Sequence, residues 1–409
     1  MRTLDDVEVG GKRVLLRVDI NSPVDPDTGA IADDTRMRLS LPTIRELADR
    51  GAALVLIAHQ GDTLDYHNLR SLEPHAAHLA SLLDRPVGFV DDVAGPEARR
   101  RIEALEGGEI LLLDNLRYLT EEVSSFEKEV KLTPAEMTRT YLVRNLAPRF
   151  DLYVNDAFAA AHRAAPSMIA FQEVLPSAAG RLLQSEIDGL SAVVREPARP
   201  LVFLLGGLKV SDAFSMMERA LERGLADRVL TMGVTGQIFL HASGVDLGAP
   251  SVRFMTDRGL DAFFPAASRI LERFPGELRM PSDVAVVVDG ERRELPVGDL
   301  PAGEAIVDVG HATVEEYAAE VAAAATVFVN GPAGVYEREP SAYGTRTLWQ
   351  AVAAAPGYTV IGGGDTIASA GRFVDLDDIG FVSTAGGALV RYLSGVHLPL
   401  LEAMGIPQD

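Results

Sequence analysis

The stretch Val360-Ile361-Gly362-Gly363-Gly364-Asp365-Thr366 joins an apolar run to three glycines and a polar segment. The apolar residues predict a buried strand, and the residues after the glycines predict a helix. A glycine turn at the start of a helix lets backbone N–H groups and the helix dipole meet an anion. Asp365 adds a carboxylate that suits Mg²⁺, an ion that binds phosphates through few protein ligands. The stretch therefore predicts a strand–turn–helix unit that binds a phosphate group.

A second candidate phosphate site lies in the other half of the chain. There Asn155-Asp156-Ala157-Phe158-Ala159-Ala160-Ala161-His162-Arg163 closes an apolar run at 151–154. One half is then predicted to bind a nucleotide and the other half a phosphorylated small molecule. This arrangement is typical of a two-domain kinase.

Apolar runs alternate with helical segments along the whole chain, which predicts the α/β class with two doubly wound, Rossmann-like parallel sheets. Helices are predicted at 71–83 and at 133–146, the latter beginning Thr-Pro-Ala-Glu as a capped helix does. The predicted strands are 13–18, 53–58, 109–113, 151–154, 201–205, 228–231, 284–288, 326–329 and 358–361.

The boundary between the two halves is predicted near a helix at 178–195, which prolines flank on both sides. This helix could join the domains as a stiff hinge, and a long helix inside one domain fits the pattern equally well. We expect a substrate domain at 1–176, an interdomain helix at 177–196 and a nucleotide domain at 197–392. The segment 393–409 is expected to pack back on the first domain.

Composition excludes several classes of protein. The chain has 409 residues, 47% of them hydrophobic, no cysteine and a net charge of −21. Such acidity argues against nucleic-acid binding, and no apolar run approaches the ~18 residues of a membrane span. The N-terminus lacks the apolar core of a signal peptide. A cytoplasmic protein without disulfides is expected.

In the first half, polar residues follow the predicted strands. Arg17-Val18-Asp19-Ile20-Asn21-Ser22-Pro23 leaves the first strand, and His59, Arg117 and Arg163 follow later ones. Ligands of open α/β sheets bind at the carboxyl ends of the strands. Each residue alone could merely cap its own loop. Five of them at one edge, Asp19, Asn21, His59, Arg117 and Arg163, indicate a binding site.

In the second half, glycine-rich turns follow the strands. They are Gly206-Gly207-Leu208-Lys209, Asn330-Gly331-Pro332-Ala333-Gly334-Val335-Tyr336-Glu337 and Ser383-Thr384-Ala385-Gly386-Gly387. Glu337 could bind ribose hydroxyls, although a surface acid is the simpler interpretation of that residue alone. No Walker loop is present, and no G-x-G-x-x-G stands in a first strand–helix turn, which weakens a dehydrogenase interpretation.

The order of these motifs resembles the phosphoglycerate kinase family, and in particular its archaeal branch. The resemblance runs from Arg13 to Leu400, and its most specific parts are 17–23, 155–163, 330–337 and 362–366. It implies two doubly wound domains joined by a hinge. It also implies Mg²⁺-dependent phosphoryl transfer between 1,3-bisphosphoglycerate and ADP, which gives 3-phosphoglycerate and ATP. A monomer or homodimer with only small-molecule partners is expected.

The resemblance also implies roles for particular residues. Those expected to act in catalysis are Arg36, Lys209, Gly386 and Gly387. Those expected to bind the nucleotide are Lys209, Glu337, Gly363, Gly364, Asp365 and Thr366, with Asp365 also binding the metal. Those expected to bind the phosphoglycerate are Asp19, Ile20, Asn21, Arg36, His59, Gln60, Gly61, Asp62, Arg117 and Arg163.

Three positions depart from the pattern of most bacterial and eukaryotic members. Gly61-Asp62-Thr63 stands where Gly-Arg-Pro is usual, so one phosphate-binding arginine is missing and Arg70 is a candidate substitute. Ala213 occupies the position of a second lysine, and Ala385 that of a glycine. A catalytically inactive nucleotide-binding regulator is the alternative that the loss of a lysine would favour.

Overall fold

The computed structural model describes residues 1–25, 28–61, 69–195 and 197–408. The chain divides into two compact units, one comprising Met1–Ile187 with His397–Asp409 and the other Asp188–Val396. The division falls inside a helix. Among the described residues, no helix is both long and apolar enough to cross a membrane.

The first unit contains a six-stranded parallel sheet. Its strands are β1 (Arg13–Arg17), β2 (Ala53–Ile57), β3 (Gly88–Val90), β4 (Ile110–Leu113), β5 (Leu152–Asn155) and β6 (Ser177–Ala179). The helices between them are α1 (Thr35–Asp49), α2 (Glu73–Leu83), α3 (Pro96–Glu103), α4 (Ser124–Val130), α5 (Pro134–Met137), α6 (Tyr141–Leu146) and α7 (Pro166–Ile169), and α8 (Arg181–Val194) follows.

The strand order β3-β4-β2-β1-β5-β6 places β1 and β2 at the centre of this sheet. All five residues of β2 are buried, as expected for a parallel strand with helices on both faces. Leu54 and Leu56 of β2 belong to the same apolar cluster as Ile44 and Leu47 of α1. The polar residues that follow β1 and β2 are therefore attached directly to strands that the packed core holds in place.

The second unit repeats this design. Its strands are β7 (Leu201–Leu205), β8 (Arg228–Thr231), β9 (Leu278–Arg279), β10 (Asp283–Val288), β11 (Glu291–Pro296), β12 (Ile306–Val309), β13 (Thr326–Asn330), β14 (Tyr358–Gly362) and β15 (Phe381–Ser383). Its helices are α9 (Val210–Glu222), α10 (Gly233–Ala242), α11 (Ala249–Thr256), α12 (Phe264–Arg273), α13 (His311–Ala323), α14 (Tyr343–Ala353), α15 (Gly364–Gly371) and α16 (Gly387–Leu393). Six strands form a parallel sheet in the order β15-β14-β13-β7-β8-β9.

The strand predicted at 284–288 does form, but it lies outside this parallel sheet. It is β10, the middle strand of a separate antiparallel sheet in the order β11-β10-β12. A short turn, with Asp289 and Gly290 both at positive φ, joins β10 directly to β11. Such a hairpin allows antiparallel pairing, whereas a parallel neighbour needs a longer crossover.

The single helix predicted at 178–195 is wrong at its start. Residues 177–179 form β6, which pairs with β5 at the sheet edge, and the helix begins only at Arg181. Gly180 separates the two elements, and an added Cβ there would overlap the Asp156 carboxylate. The hydrogen bonds that Ala178 and Ala179 make with the edge of β5 thus outweigh the intrinsic preference of alanine for a helix.

The helix predicted at 133–146 is two helices, α5 and α6. The expected capping box at Thr133 is present, with the Glu136 backbone N–H 3.3 Å from the Thr133 hydroxyl. The Thr138 hydroxyl donates to Ala135 O at 2.6 Å, and the Thr140 hydroxyl donates to Met137 O at 2.8 Å. These bonds from side chains to the backbone compete with helix continuation.

The end of the chain belongs to the first unit. The last helix is α17 (Pro399–Ala403). Its Leu400 N–H donates to Ala161 O at 3.2 Å, and Leu400 and Leu401 are both buried. The C-terminal segment therefore covers the residues that follow β5.

Candidate active site

Three neighbouring strands of the first unit carry its predicted substrate residues. Asp19 and Asn21 follow β1, His59 follows β2, and Arg117 follows β4. These strands are adjacent in the order β4-β2-β1 and run parallel. Their carboxyl ends therefore meet at one edge of the sheet, where ligands of such folds bind.

Amide side chains join these strand exits. Gln60 N–H donates to Asn115 Oδ1 at 3.1 Å, and the Gln60 side chain donates to Ser22 O at 2.8 Å. Asn21 Oδ1 accepts from Gly61 N–H at 3.0 Å. Gln60 and Asn21 thus bind the protein's own backbone and fix the shape of the edge.

Arg36 lies in the first turn of α1 and pairs with Asp19. Its Nη1 is 3.2 Å from Asp19 Oδ2. The Asp19 side chain is buried, whereas the Arg36 side chain is 43% exposed. Asp19 therefore orients a guanidinium group that remains accessible to a ligand.

His59 contacts a buried arginine. Arg17 Nη2 lies 2.9 Å from His59 Nδ1. Because a guanidinium group can only donate, Nδ1 is the acceptor and carries no proton. Arg17 is absent from the predicted site residues, although it opens the Arg-Val-Asp stretch at the end of β1.

Four arginines lie near enough to the His59 imidazole to influence its charge. Burial holds its pKa well below the usual range, and the positive charges of Arg17, Arg117, Arg163 and Arg36 lower the pKa further. This edge of the sheet is a region of positive potential in a chain whose net charge is −21. Such a concentration of fixed positive charge suits a small anion.

The Glu127 carboxylate and the Glu122 backbone carbonyl hold Arg163 in place. Its Nε donates to Glu127 Oε1 at 2.9 Å, and its Nη2 donates to Glu122 O at 3.1 Å. The Glu122 carboxylate accepts from Ser167 N–H at 2.7 Å and from the Ser167 hydroxyl at 2.6 Å. Burial raises the pKa of Glu122 to about 7 against the lowering effects of Ser167, Arg17 and Arg163.

The remaining predicted substrate residues have other positions. Ile20 is fully buried in the apolar cluster of the first unit. Asp62 lies outside the described residues. The Arg70 carbonyl accepts from Asn115 Nδ2 at 2.8 Å, which places Arg70 next to the same strand exits.

Asn155 and Asp156, which begin the second candidate phosphate motif, are structural residues. Both are fully buried. Asn155 Oδ1 accepts from Ala157 N–H at 2.9 Å, and Asp156 Oδ1 accepts from Leu183 N–H at the start of α8 at 3.0 Å. Burial raises the pKa of Asp156 to about 6. Of this motif, Arg163 remains the residue predicted to bind phosphate.

In the second unit, glycines let three strand exits approach each other closely. Gly206 N–H donates to Asn330 O at 2.9 Å, and Asn330 Nδ2 donates to Gly362 O at 2.6 Å. Gly331 has φ +90°, and an added Cβ there would overlap the Gly206 backbone. Gly331 N–H donates to the Thr366 hydroxyl at 2.8 Å. Only glycine fits this crossing of backbones.

A cavity of about 120 Å³ lies over these turns. Lys209 and Asp365 face each other across it, with Nζ 3.3 Å from Oδ2 and both side chains more than half exposed. Gly386, at φ +51°, and Gly387 at the start of α16 line the same cavity. The predicted phosphate and metal residues are therefore brought together.

The cavity could bind a metal ion only with help from a ligand. Among the described residues, no three His, Asp or Glu side chains are grouped to hold a metal. Asp365 offers one accessible carboxylate. This fits Mg²⁺, which usually takes one or two carboxylates together with phosphate oxygens.

A larger cavity of about 370 Å³ adjoins the 120 Å³ cavity, and Leu208 and Asp365 line both. Val234, Phe254 and Ile306 give it apolar walls, and Glu337 lies at its rim. This size and lining suit a flat heterocyclic ring. Glu337 and Asp365 are the predicted nucleotide residues that line this cavity. Its apolar walls come from separate elements and form no local sequence motif.

The comparisons with known proteins all point to one family. The sequence model of the family described as phosphoglycerate kinase matches residues 4–396. The phosphoglycerate kinase of Methanothermobacter thermautotrophicus is 44% identical over 98% of this chain and 96% of its own length. That of Natronomonas pharaonis is 43% identical over 99% of both chains. The crystal structure of phosphoglycerate kinase from Pyrococcus horikoshii is 38% identical, with a TM-score of 0.87 over 99% of this chain and 98% of that one.

The chain belongs to the phosphoglycerate kinase family. Membership confirms the family, the two-domain α/β fold and the phosphotransferase activity that the motifs predict. Two of the three departures from the common pattern of phosphoglycerate kinases, at Ala213 and Ala385, lie within the described residues. Ala213 is fully buried in α9, and Ala385 is also buried. The structure therefore has no accessible side chain at the position of the usual second lysine.

Glu122 should make stability depend on pH. Its pKa is 4.5 when unperturbed and about 7 in the folded chain. Because the folded-state pKa of Glu122 is raised, its protonated carboxyl favours the folded chain. This contribution to the free energy of unfolding is complete below pH 4.5 and is lost as the pH rises through 7. Glu122→Gln should therefore gain stability relative to the parent chain between pH 5 and 9, by at most about 3 kcal/mol.

Urea unfolding of both proteins at pH 5, 7 and 9 measures this effect. Glu129→Gln, an exposed change in the neighbouring helix α4, is the matched control and should show no such trend. A difference between Glu122→Gln and the parent chain that does not vary with pH would contradict the assignment.

Proposed function

We propose that the first unit binds 3-phosphoglycerate or 1,3-bisphosphoglycerate through its arginine-lined edge. The observation that carries the proposal is the contact of Arg17 with His59 at 2.9 Å, next to strand exits where Arg36 remains accessible and where Arg117 and Arg163 lie near enough to lower the pKa of His59. Three of these arginines were expected to bind the substrate. Guanidinium groups bind carboxylate and phosphate oxygens in paired hydrogen bonds, and this substrate class carries both groups.

The second unit, in this proposal, binds ATP or ADP. The base occupies the 370 Å³ cavity, the ribose lies near Glu337, and the phosphates lie over the glycine turns beside Lys209. Gly363, Gly364 and Thr366 line the phosphate cavity and begin α15. The N-terminus of that helix adds a favourable dipole for negative charge.

A bound Mg²⁺ would neutralise part of the phosphate charge, and Asp365 is the residue that would hold it. In the absence of ligand, the salt bridge between Lys209 and Asp365 lets each side chain neutralise the charge of the other. On nucleotide binding, Lys209 is free to turn toward the phosphates.

The reaction needs no covalent intermediate on the protein. A carboxylate oxygen of 3-phosphoglycerate attacks the terminal phosphorus of ATP, a new O–P bond forms, and the bond to the bridging oxygen of ADP breaks. Charge on the transferring group is stabilised by Lys209, Arg36 and the backbone N–H groups of Gly386 and Gly387. Direct transfer requires the two bound substrates to meet, so the proposal includes a closure step. We place this reaction in the cytoplasm.

Lys209 tests the proposal most sharply. Lys209→Ala should lower kcat by roughly 10²–10³, as the loss of one preorganised charge-stabilising donor does. KM for 3-phosphoglycerate should change little, since that ligand binds the other unit. Lys209→Arg should fail to restore the rate, because the planar guanidinium is bulkier than an ammonium group at a narrow glycine turn.

The measurement is a coupled assay with ATP, Mg²⁺ and 3-phosphoglycerate, read through reduction of 1,3-bisphosphoglycerate. Lys128→Ala, on an exposed side chain, is the matched control and should retain full activity. A fully active Lys209→Arg would show that charge alone suffices. A fully active Lys209→Ala would remove this residue from the mechanism.

Asp365 tests the metal role. Asp365→Asn should raise the Mg²⁺ concentration needed for half-maximal rate and lower the rate itself by about tenfold or more. The Mg²⁺ dependence is measured at saturating ATP for the parent chain, for this variant and for Asp377→Asn as an exposed control. An unchanged Mg²⁺ dependence would limit Asp365 to its salt bridge with Lys209.

A further inference from the structure

Ser167 is a fully buried serine that links two charged side chains of the first unit. It is the second residue of the short helix α7. Its hydroxyl donates to Glu122 Oε2 at 2.6 Å, and its backbone N–H donates to Glu122 Oε1 at 2.7 Å. Arg17 Nε donates to the Ser167 hydroxyl oxygen at 3.3 Å. Ser167 is not among the residues proposed to bind phosphoglycerate or nucleotide.

The chemistry of these groups fixes the direction of each hydrogen bond. A guanidinium group can only donate, so the Ser167 oxygen is the acceptor toward Arg17. The single hydroxyl proton of Ser167 is then directed to the Glu122 carboxylate. The bonds therefore run from a positive charge through one hydroxyl to a negative charge, and bonds to charged groups of this kind are the stronger ones.

Glu122 supplies a charge that keeps Arg17 in its buried position. Arg17 is only 3% exposed, and burial lowers its pKa. The Glu122 carboxylate raises that pKa, and Asp19 adds a smaller effect in the same direction. An opposite charge nearby favours the charged form of a buried group. Glu122 and Ser167 thus fix where the guanidinium group lies.

Arg17 in turn fixes the ring of His59. Its Nη1 donates to Val18 O, and its Nη2 lies 2.9 Å from His59 Nδ1. With Nε held by Ser167, all three nitrogens of the guanidinium group are engaged. Because Nδ1 is an acceptor, the proton of the neutral imidazole is on Nε2. Among the described residues Nε2 has no hydrogen-bond acceptor, and His59 is 7% exposed.

We propose that Ser167, supported by Glu122, is a positioning residue. It acts through Arg17 to keep the His59 proton on Nε2. Nε2 then donates a hydrogen bond to an oxygen of the phosphoglycerate, a role that rests on the proposed function of the first unit. The other tautomer would direct a nitrogen lone pair at the same oxygen and repel it. A donor that is fixed in advance needs no reorganisation when the anion binds.

Ser167→Ala tests this role, because it removes the hydroxyl without adding volume to the core. Nitrogen NMR of the ligand-free full chain, labelled with ¹⁵N-histidine, distinguishes protonated from unprotonated ring nitrogens. At pH 9 the Glu122 carboxyl, with its pKa of about 7, is ionised. The parent chain should show the proton of His59 on Nε2. In Ser167→Ala the two ring signals should move toward each other, because the ring then exchanges between its tautomers.

The coupled assay adds a readout that separates substrate binding from the chemical step. Ser167→Ala should raise KM for 3-phosphoglycerate by about tenfold, with a smaller change in kcat, because the hydrogen bond from His59 helps to hold the substrate. KM for ATP should not change. Ser167→Thr keeps the hydroxyl and should restore the ring signals of the parent chain and most of its affinity. Thermal melting checks that each variant is folded.

Tyr153→Phe is the matched control. The buried Tyr153 hydroxyl donates to Ser167 O at 2.6 Å, so its removal loosens the same residue without removing the bond to Arg17. This variant should have a lower Tm but unchanged ring signals and an unchanged KM for 3-phosphoglycerate.

Three results would overturn the proposal. They are ring signals and KM in Ser167→Ala that match the parent chain, equal changes in Ser167→Ala and Tyr153→Phe, and a proton on His59 Nδ1 in the parent chain, which needs no variant to detect. A parent chain that fails to bind 3-phosphoglycerate in calorimetry would instead contradict the proposed function. The ligand-free ring signals would still decide whether Ser167 positions His59.

Discussion

Electrostatic repulsion among arginine side chains is the constraint that organises the first unit. Arg17 is almost fully buried, and Arg36, Arg117 and Arg163 act on the same imidazole. The protein offsets their charge with Asp19 beside Arg36 and Glu127 beside Arg163. His59 contributes by remaining neutral, since a second buried positive charge next to Arg17 would be costly. An anionic substrate can relieve the repulsion that remains.

The proposed phosphate site of the second unit is built in a different way. Its glycines bring three strand exits close together, and glycines make up much of the lining of the 120 Å³ cavity. Two of the charged side chains there, Lys209 and Asp365, neutralise each other. The scarcity of lysine agrees with a specific role for Lys209, since only four of the 38 basic residues in the chain are lysines. The proposed phosphoglycerate site therefore depends mainly on charge, and the proposed nucleotide site depends mainly on the shape of its glycine turns.

Much of this arrangement could be predicted from the sequence, because buried parallel strands have a strong apolar pattern. The candidate functional residues come directly after these apolar runs in the sequence. Eight of the nine predicted strands lie in the two parallel sheets, whereas 284–288 joins a separate antiparallel sheet. Short edge strands such as β6 were missed, since three residues give too little pattern to outweigh a neighbouring helix. Arg17 and Glu122 were not predicted as site residues because their importance comes from their burial close to each other. The sequence alone does not show that a charged residue is buried. The 370 Å³ cavity was not predicted for a similar reason, since its walls come from elements that are far apart in the sequence.

Titration of the His59 imidazole with and without 3-phosphoglycerate tests the central claim most directly. Heteronuclear NMR of the full chain labelled with ¹⁵N-histidine follows the ring nitrogens, and a His59→Gln sample assigns the signal. In the free protein the ring should stay neutral to well below pH 6.5. Bound 3-phosphoglycerate should raise the pKa of His59, because its negative charge offsets the surrounding arginines. An unchanged pKa at saturating 3-phosphoglycerate would show that the ligand does not bind among these arginines.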